Sequence, residues 1–223
     1  MRESRFDVAG RELLIREQLL EEEDEEDAVD AFFFASESLA GSTGQKVWES
    51  ALLLVRFLEE HPELVNSEKR VLELGCGTGL CGLAAAAIGG CDVLLTDLPS
   101  VVAFCTAVNV EANAELGRVR CAPLDWLQFQ ESKGVCFDAA QSFDTVLASD
   151  CVWLVELLPT FAYTVAELLG RKRGAVAVLA QTERSRADST VFASTPQLLE
   201  ELRRCGVVAE QATPNVYLLR RKV

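Results

Sequence analysis

The sequence predicts an α/β domain: a seven-stranded, mostly parallel sheet with helices on both faces, preceded by an N-terminal hairpin and helix extension. Three observations lead there. Short apolar runs alternate with helical patterns from residue 69 onward, a glycine-rich turn follows the first of those runs, and the chain closes on two strand-like runs in succession. With 223 residues, 49% of them hydrophobic and 25% charged, the chain can fill a core without disulfide staples.

In chain order, RFDVAGRELLIRE alternates weakly around Gly10 and reads as a short hairpin over residues 5–17. Seven like charges follow at Glu21–Asp27; they repel one another and read as a solvated loop or a disordered insert. LAGSTGQK (39–46) leads into VWESALLLVRFLEEH, where Trp48, Leu52, Val55 and Leu58 recur at helical spacing and mark an amphipathic helix. RVLEL (70–74) is the first strand of the sheet, Gly79–Ile88 an alanine-rich helix, DVLLT (92–96) the second strand and Pro99–Ala114 the next helix. RVRCAPL (118–124) and FDTVLAS (143–149) are strands three and four, with QESKGVCFDAAQ between them as a surface loop. A helix runs over 155–169 and GAVAVLAQ (174–181) is strand five. In STPQLLEELRRCG, Thr195 is placed as the helix N-cap, Pro196 at the first helical position and Gly206 at the stop. The tail, VVAEQATPNVYLLRRK, turns at Pro214-Asn215 and adds one antiparallel strand. Residues 1–45 form the extension and 46–223 the main domain.

Composition excludes several classes. The eight cysteines contain no CxxC pair and have no histidine partners, so a reduced intracellular protein with no metal site is expected. The net charge of −14 disfavours a nucleic-acid partner and suits a basic protein segment, although solubility explains it equally well. There is no uninterrupted apolar run of the ~18–20 residues a membrane span needs. MRESRFDVAGRELLIREQ lacks the apolar core of a signal peptide. A cytoplasmic location is expected, with the nucleus as the second compartment.

In a sheet of this kind a ligand sits at the carboxyl ends of the strands, where strand order reverses. That directs attention to ELGCGTGL. Gly75, Gly77 and Gly79 alternate there, so the backbone can turn tightly and approach a ligand without a Cβ in the way. Asp97 ends the second strand, 22 residues beyond Gly75, where an acidic side chain can accept from both hydroxyls of a ribose. Two cofactor classes use such an arrangement. GTGLCG, from Gly77 to Gly82, formally matches the dinucleotide fingerprint, and an NAD-dependent oxidoreductase is one reading. A dinucleotide site, however, needs a helix N-terminus free for pyrophosphate. Here Gly75 already ends the strand, and ExGxGxG is the form of the loop that holds S-adenosylmethionine, with Glu73 shaping the pocket near the amino acid moiety.

The motifs ELGCGTGL, LLTDLP, LDW and LASDCVW fall after strands one to four in turn, and GSTGQKVWESA precedes them. Together they resemble methyltransferase family 16, and within it the methyltransferase-like 21 group of protein-lysine N-methyltransferases, from about Phe6 to the C-terminus. The resemblance implies a class I, Rossmann-like methyltransferase domain over 46–223 that uses S-adenosyl-L-methionine. It implies that Trp48 borders the cofactor, Gly75, Gly77 and Gly79 line its methionine end, Asp97 holds the ribose, Asp125 and Trp126 flank the adenine, and Ser149 touches it from strand four. By spacing alone Trp48 is a core position on a helical stripe; only the resemblance moves it to the site. The implied partner is a protein lysine, on a translation factor or chaperone, with no nucleic acid and no membrane, and the enzyme is a monomer.

Asp150 is the residue expected to face the methyl acceptor, against the alternative that it caps the helix that follows. The family motif here ends in tyrosine; Trp153 keeps the aromatic wall and loses the hydroxyl. Asp150 and Trp153 are thus the expected catalytic pair. Glu183 and Arg184, after strand five, either shape substrate recognition or are ordinary surface residues. His61, the lone histidine, reads as an exposed helix-end residue. A small-molecule N-methyltransferase would share this core, and a non-catalytic cofactor-binding scaffold is the reading that Trp153 leaves open.

Overall fold

A computed structural model of the chain describes residues 1–18, 44–135, 137, 141–183 and 190–222; the acidic run at 21–27 and Arg184 lie outside the described residues. Strands β1 (Arg2–Val8) and β2 (Arg11–Glu17) pair as an antiparallel hairpin that begins three residues earlier than the alternation indicated. Its turn, Ala9-Gly10, has φ of +51° and +75°, the hand whose twist matches the flanking strands.

The main sheet has the order β5 (Val119–Pro123), β4 (Asp92–Asp97), β3 (Arg70–Leu74), β6 (Thr145–Ser149), β7 (Val176–Ala180), β9 (Val216–Arg221), β8 (Val207–Thr213). Strands β3 to β7 pair in parallel, and β9 runs antiparallel to both of its neighbours, as the two-strand ending implied. Strand order reverses at β3, which has β4 on one side and β6 on the other. The turns leaving β3 and β6 therefore emerge side by side.

Successive strand residues face opposite sides of a sheet, and the two cores divide accordingly. Val71, Val93 and Leu95 join hairpin residues Leu13 and Ile15 under helices α1 (Glu49–Glu60) and α2 (Leu80–Gly89). Leu72, Leu74 and Leu94 face the other way, toward α4 (Trp126–Glu131), α5 (Leu158–Gly170) and α6 (Thr195–Arg204). Each such leucine, taken wholly out of water, contributes ~1.5–3 kcal/mol. Between β4 and β5 lies the helical stretch α3: Pro99–Val101, a π-helical Val102–Thr106, and Ala107–Ala112.

Four expectations are corrected. Helix α1 buries Ala51, Leu54, Val55 and Leu58, while Leu52 is 39% exposed and Trp48 is the extended N-cap residue outside the helix. In the unbroken apolar run ALLLV, spacing alone cannot choose which leucine faces inward; packing on α2 does. The helix expected over 99–114 is interrupted by the π turn. The first two residues of the supposed 130–141 loop belong to α4, whose six residues are too few to show a period. Finally, Ser194, not Thr195, caps α6: its hydroxyl accepts from the Gln197 N–H while the Gln197 side chain accepts from the Ser194 N–H, a reciprocal box that moves Pro196 to the second helical position.

Candidate functional site

The turn after β3 is built for close approach. Gly75 and Gly77 have φ of +58° and +51°, a region that costs a side chain roughly 1–3 kcal/mol. Space is as tight as conformation. A methyl group at Gly75 would stand 2.5 Å from Cys151 Cβ and 3.3 Å from Trp126 Cζ2; one at Gly77 would stand 2.7 Å from the Gly44 carbonyl oxygen. The β6 loop and the segment ahead of α1 thus press on the turn from two sides. Gly79 closes it as the N-cap of α2, in the left-handed conformation.

Two carboxylates support the turn from β3 and β4. Asp97 accepts the Gly77 N–H at 2.8 Å with Oδ2 and the Leu98 N–H at 2.7 Å with Oδ1. Burial pushes its carboxyl up to about 6, against the pull of those two N–H groups. Each oxygen keeps a second lone pair for a further donor. Glu73 is buried and accepts the Gly82 N–H at 2.7 Å. Gly79 has no side chain with which to cap α2, so Glu73 does so from the sheet, and burial raises it to about 8. Gly82 admits this contact because a methyl there would meet both Leu95 and the Glu73 Oε2.

Trp126 opens α4, half-buried, edge-on to Phe161 at 5.1 Å between ring centroids and beside Gly75. Asp125 is the α4 N-cap, its Oδ1 accepting the Leu127 N–H at 2.8 Å. Ser149 ends β6, its Oγ 3.5 Å from Cys81 Sγ. Trp48 stands at the start of α1 with Lys46 Nζ 4.8 Å from its ring centre.

Asp150 has φ +45°, an uncommon conformation for a residue with a side chain. Its N–H donates to Ala180 O at 3.0 Å, Oδ1 accepts the Thr182 N–H at 3.0 Å, and Oδ2 accepts the Ser50 N–H at 3.4 Å. Asp150 therefore ties the ends of β6 and β7 to the first turn of α1, and the first turn of α5 has Leu157 as its N-cap, without a side-chain cap. Three residues on, Trp153 stacks with Phe192 at 6.4 Å and 27°. Backbone bonds fix that pair: Ala193 N–H donates to Trp153 O at 2.9 Å, and Val155 N–H to Val191 O at 2.9 Å. Glu183 is exposed, and its Oε2 accepts the Thr195 N–H at 2.9 Å. His61 lies half-exposed against Phe57, 3.3 Å from Glu63.

Several participants escaped sequence reasoning. Thr106 Oγ1 donates to Gly77 O at 2.7 Å, and Asn109 Nδ2 donates to Thr78 O at 2.9 Å, both from α3. The π turn ending at Thr106 places these groups, and it has no sequence signature. Gly44 and Phe192 meet their partners only across long chain separations. The cysteines around the turn, Cys76, Cys81 and Cys151, are free, and burial pushes their thiols well up; they serve as small apolar fillers.

A lysine methyltransferase family model matches residues 30–197. The chain belongs to that family. Among its curated relatives, the protein-lysine N-methyltransferase EFM3 of Chaetomium thermophilum is 31% identical over 187 residues, covering 81% of this chain and 52% of that protein. The protein N-lysine methyltransferase METTL21A of Danio rerio is 35% identical over 55% of this chain and 54% of its own length. For the protein-lysine N-methyltransferase rrg1 of Schizosaccharomyces pombe the values are 39%, 49% and 37%. The chain thus spans roughly a third to a half of the length of these relatives. The fold matches magnesium protoporphyrin IX methyltransferase (ChlM) from Synechocystis, solved with bound SAH, at TM-score 0.53 and 13% identity over 89% of this chain and 95% of that one. Among the described residues, no helix is long and apolar enough to cross a membrane.

Proposed function

We propose that this chain is an S-adenosylmethionine-dependent protein-lysine N-methyltransferase that acts in the cytoplasm as a monomer, with 46–223 as its methyltransferase domain and 1–45 as an extension. The observation that carries the reading is the glycine turn wedged between Cys151 and Gly44 above the Asp97 carboxylate, in a member of the lysine methyltransferase family. The residues fit the nucleoside. A Cβ at Gly75 would press on Cys151 and Trp126 and one at Gly77 on the Gly44 carbonyl, so only glycine lets the turn keep the course on which Gly75, Gly77 and Gly79 would line the methionine end. Asp97 retains acceptor capacity for two ribose hydroxyls, and Trp126 offers a flat face for adenine with Asp125 beside it. Glu73 holds the turn from beneath, with Trp48 and Ser149 at its border.

When bound, S-adenosylmethionine supplies a methyl group activated by its sulfonium leaving group. The chain's own task is to align and desolvate the acceptor. A lysine attacks only as the neutral amine, and the Trp153–Phe192 pair provides an apolar wall beside which the neutral form is favoured. The Asp150 oxygens already accept two backbone N–H groups, which suits orienting an amine better than removing its proton. The net charge of −14 suits a basic segment of the substrate. A relative named EEF1A lysine methyltransferase 3, from Xenopus tropicalis, supports a protein lysine as the acceptor; the partner in this reading is a translation factor or a chaperone, with no nucleic acid and no membrane.

Incubation with tritiated cofactor and cell lysate is expected to label protein bands on lysine. Label confined to small molecules would replace the protein substrate with a metabolite. Cofactor binding with no label anywhere would make the chain a scaffold. Tight NAD binding without S-adenosylhomocysteine binding would overturn the whole reading.

A further inference from the structure

We infer that Asn109 is a positioning residue that makes the N-terminal hairpin part of the glycine turn's support, so that hairpin docking and closure of the turn on its nucleoside are coupled. One edge of β2 pairs with β1; the other edge meets α3. Four helical residues rise ~6.0 Å and two strand residues ~6.8 Å, so carboxamides at positions 109 and 113 fall opposite alternate peptide groups of β2. They bond as a neighbouring strand would. Arg16 N–H donates to Asn109 Oδ1 at 2.8 Å and Asn109 Nδ2 to Arg16 O at 3.1 Å. Leu14 N–H donates to Asn113 Oδ1 at 2.9 Å and Asn113 Nδ2 to Leu14 O at 2.8 Å.

The two asparagines differ in their remaining bond. Asn113, the C-cap of α3, donates it back to Asn109 O at 2.7 Å. Asn109 donates to Thr78 O at 2.9 Å, between Gly77 and Gly79. Thr78 is buried, so its carbonyl would lose this partner without easy replacement by water. The same end of β2 also holds the segment that presses on the turn: Glu17 Oε2 accepts the Val47 N–H at 3.0 Å, and Gln18 N–H donates to Gln45 O at 2.7 Å, next to Gly44. The hairpin thus grips the turn on one side, through Asn109, and its Gly44 wall on the other.

This inference rests on the cofactor reading above, and the test separates the two. By calorimetry on the full chain, Asn109→Ser and Asn109→Asp should weaken S-adenosylhomocysteine binding about tenfold. Asn113→Ser loosens the hairpin without touching Thr78; it should lower the melting temperature comparably and weaken binding less, by about threefold, through docking alone. No weakening at 109, or weakening at 113 as large as at 109, overturns Asn109 as the coupling residue. If the 109 variants do not fold, the wild-type chain still reports it. Coupling is reciprocal, so saturating S-adenosylhomocysteine should slow amide exchange at Arg16 by about fivefold or more. Protection at Gly77 with none at Arg16 overturns the inference. The absence of both binding heat and protection at Gly77 overturns the cofactor reading, and this inference with it.

Discussion

On the β4 side of the switch point the site is made of backbone. The turn at Gly75–Gly79 excludes any Cβ at its tight positions, Asp97 accepts its Gly77 N–H, and Glu73 accepts the Gly82 N–H in the first turn of α2. On the β7 side the site is made of side chains from separate loops: Asp150 reaching Ser50 and Thr182, and Trp153 stacked on Phe192. A turn built of backbone presents the same groups whatever the neighbouring side chains are, so it suits one invariant ligand. A side-chain wall can change with each substitution, so it suits whatever acceptor a family member must select. The proposed chemistry divides the same way, and substitutions should separate cofactor retention from methyl transfer.

The largest expected effect is at Gly75. Gly75→Ala combines a left-handed φ with a 2.5 Å approach to Cys151 Cβ. It should weaken S-adenosylhomocysteine binding by ~100-fold or more in calorimetry, with the circular dichroism of a folded chain retained. Asp150→Ala tests the other half: lysate labelling should fall by about 100-fold while cofactor affinity stays within about threefold. Unchanged turnover would remove Asp150 from the mechanism, and an equal fall in affinity would erase the division between the halves. Asp97→Asn should cost about tenfold in affinity through a weakened ribose contact. Phe192→Ala, which opens a face of Trp153 to water, should reduce labelling about tenfold at unchanged cofactor affinity, with Phe192→Tyr restoring most of it.

The smallest effect is a pH dependence of the backbone half. Burial raises Glu73 from 4.5 to about 8 and Asp97 from 3.8 to about 6, so between those values the folded chain holds more protons than the unfolded one. Stability should therefore fall as pH rises from 4.5 through 8 and level off beyond. Glu73→Gln keeps an acceptor for the Gly82 N–H and cannot ionise. Thermal unfolding across that range should be flatter for this variant than for the wild type; parallel curves would show that Glu73 does not titrate in the native turn.

Legibility followed the same line as the architecture. RVLELGCGTG and DVLLTD could be read because a strand, a tight turn and the carboxylate one strand along are local features with a fixed spacing. The order of elements, the parallel sheet and the single reversal at β9 followed from hydrophobic pattern and connection rules. Where pattern was degenerate it misled. ALLLV could not show that Leu52 faces outward, and six residues could not announce α4.

By itself, then, the amino-acid order determined the α/β class, the strand sequence and the glycine turn with its acidic neighbour, because these depend on residues close along the chain. Tertiary structure alone decided that Asn109 joins β2 to Thr78, that Phe192 lies on Trp153, and that Asp150 binds α1 to the strand ends. Those partners stand 31, 39 and 100 residues apart. Side chains brought together across such distances carry no spacing signal; the sheet's topology makes them neighbours.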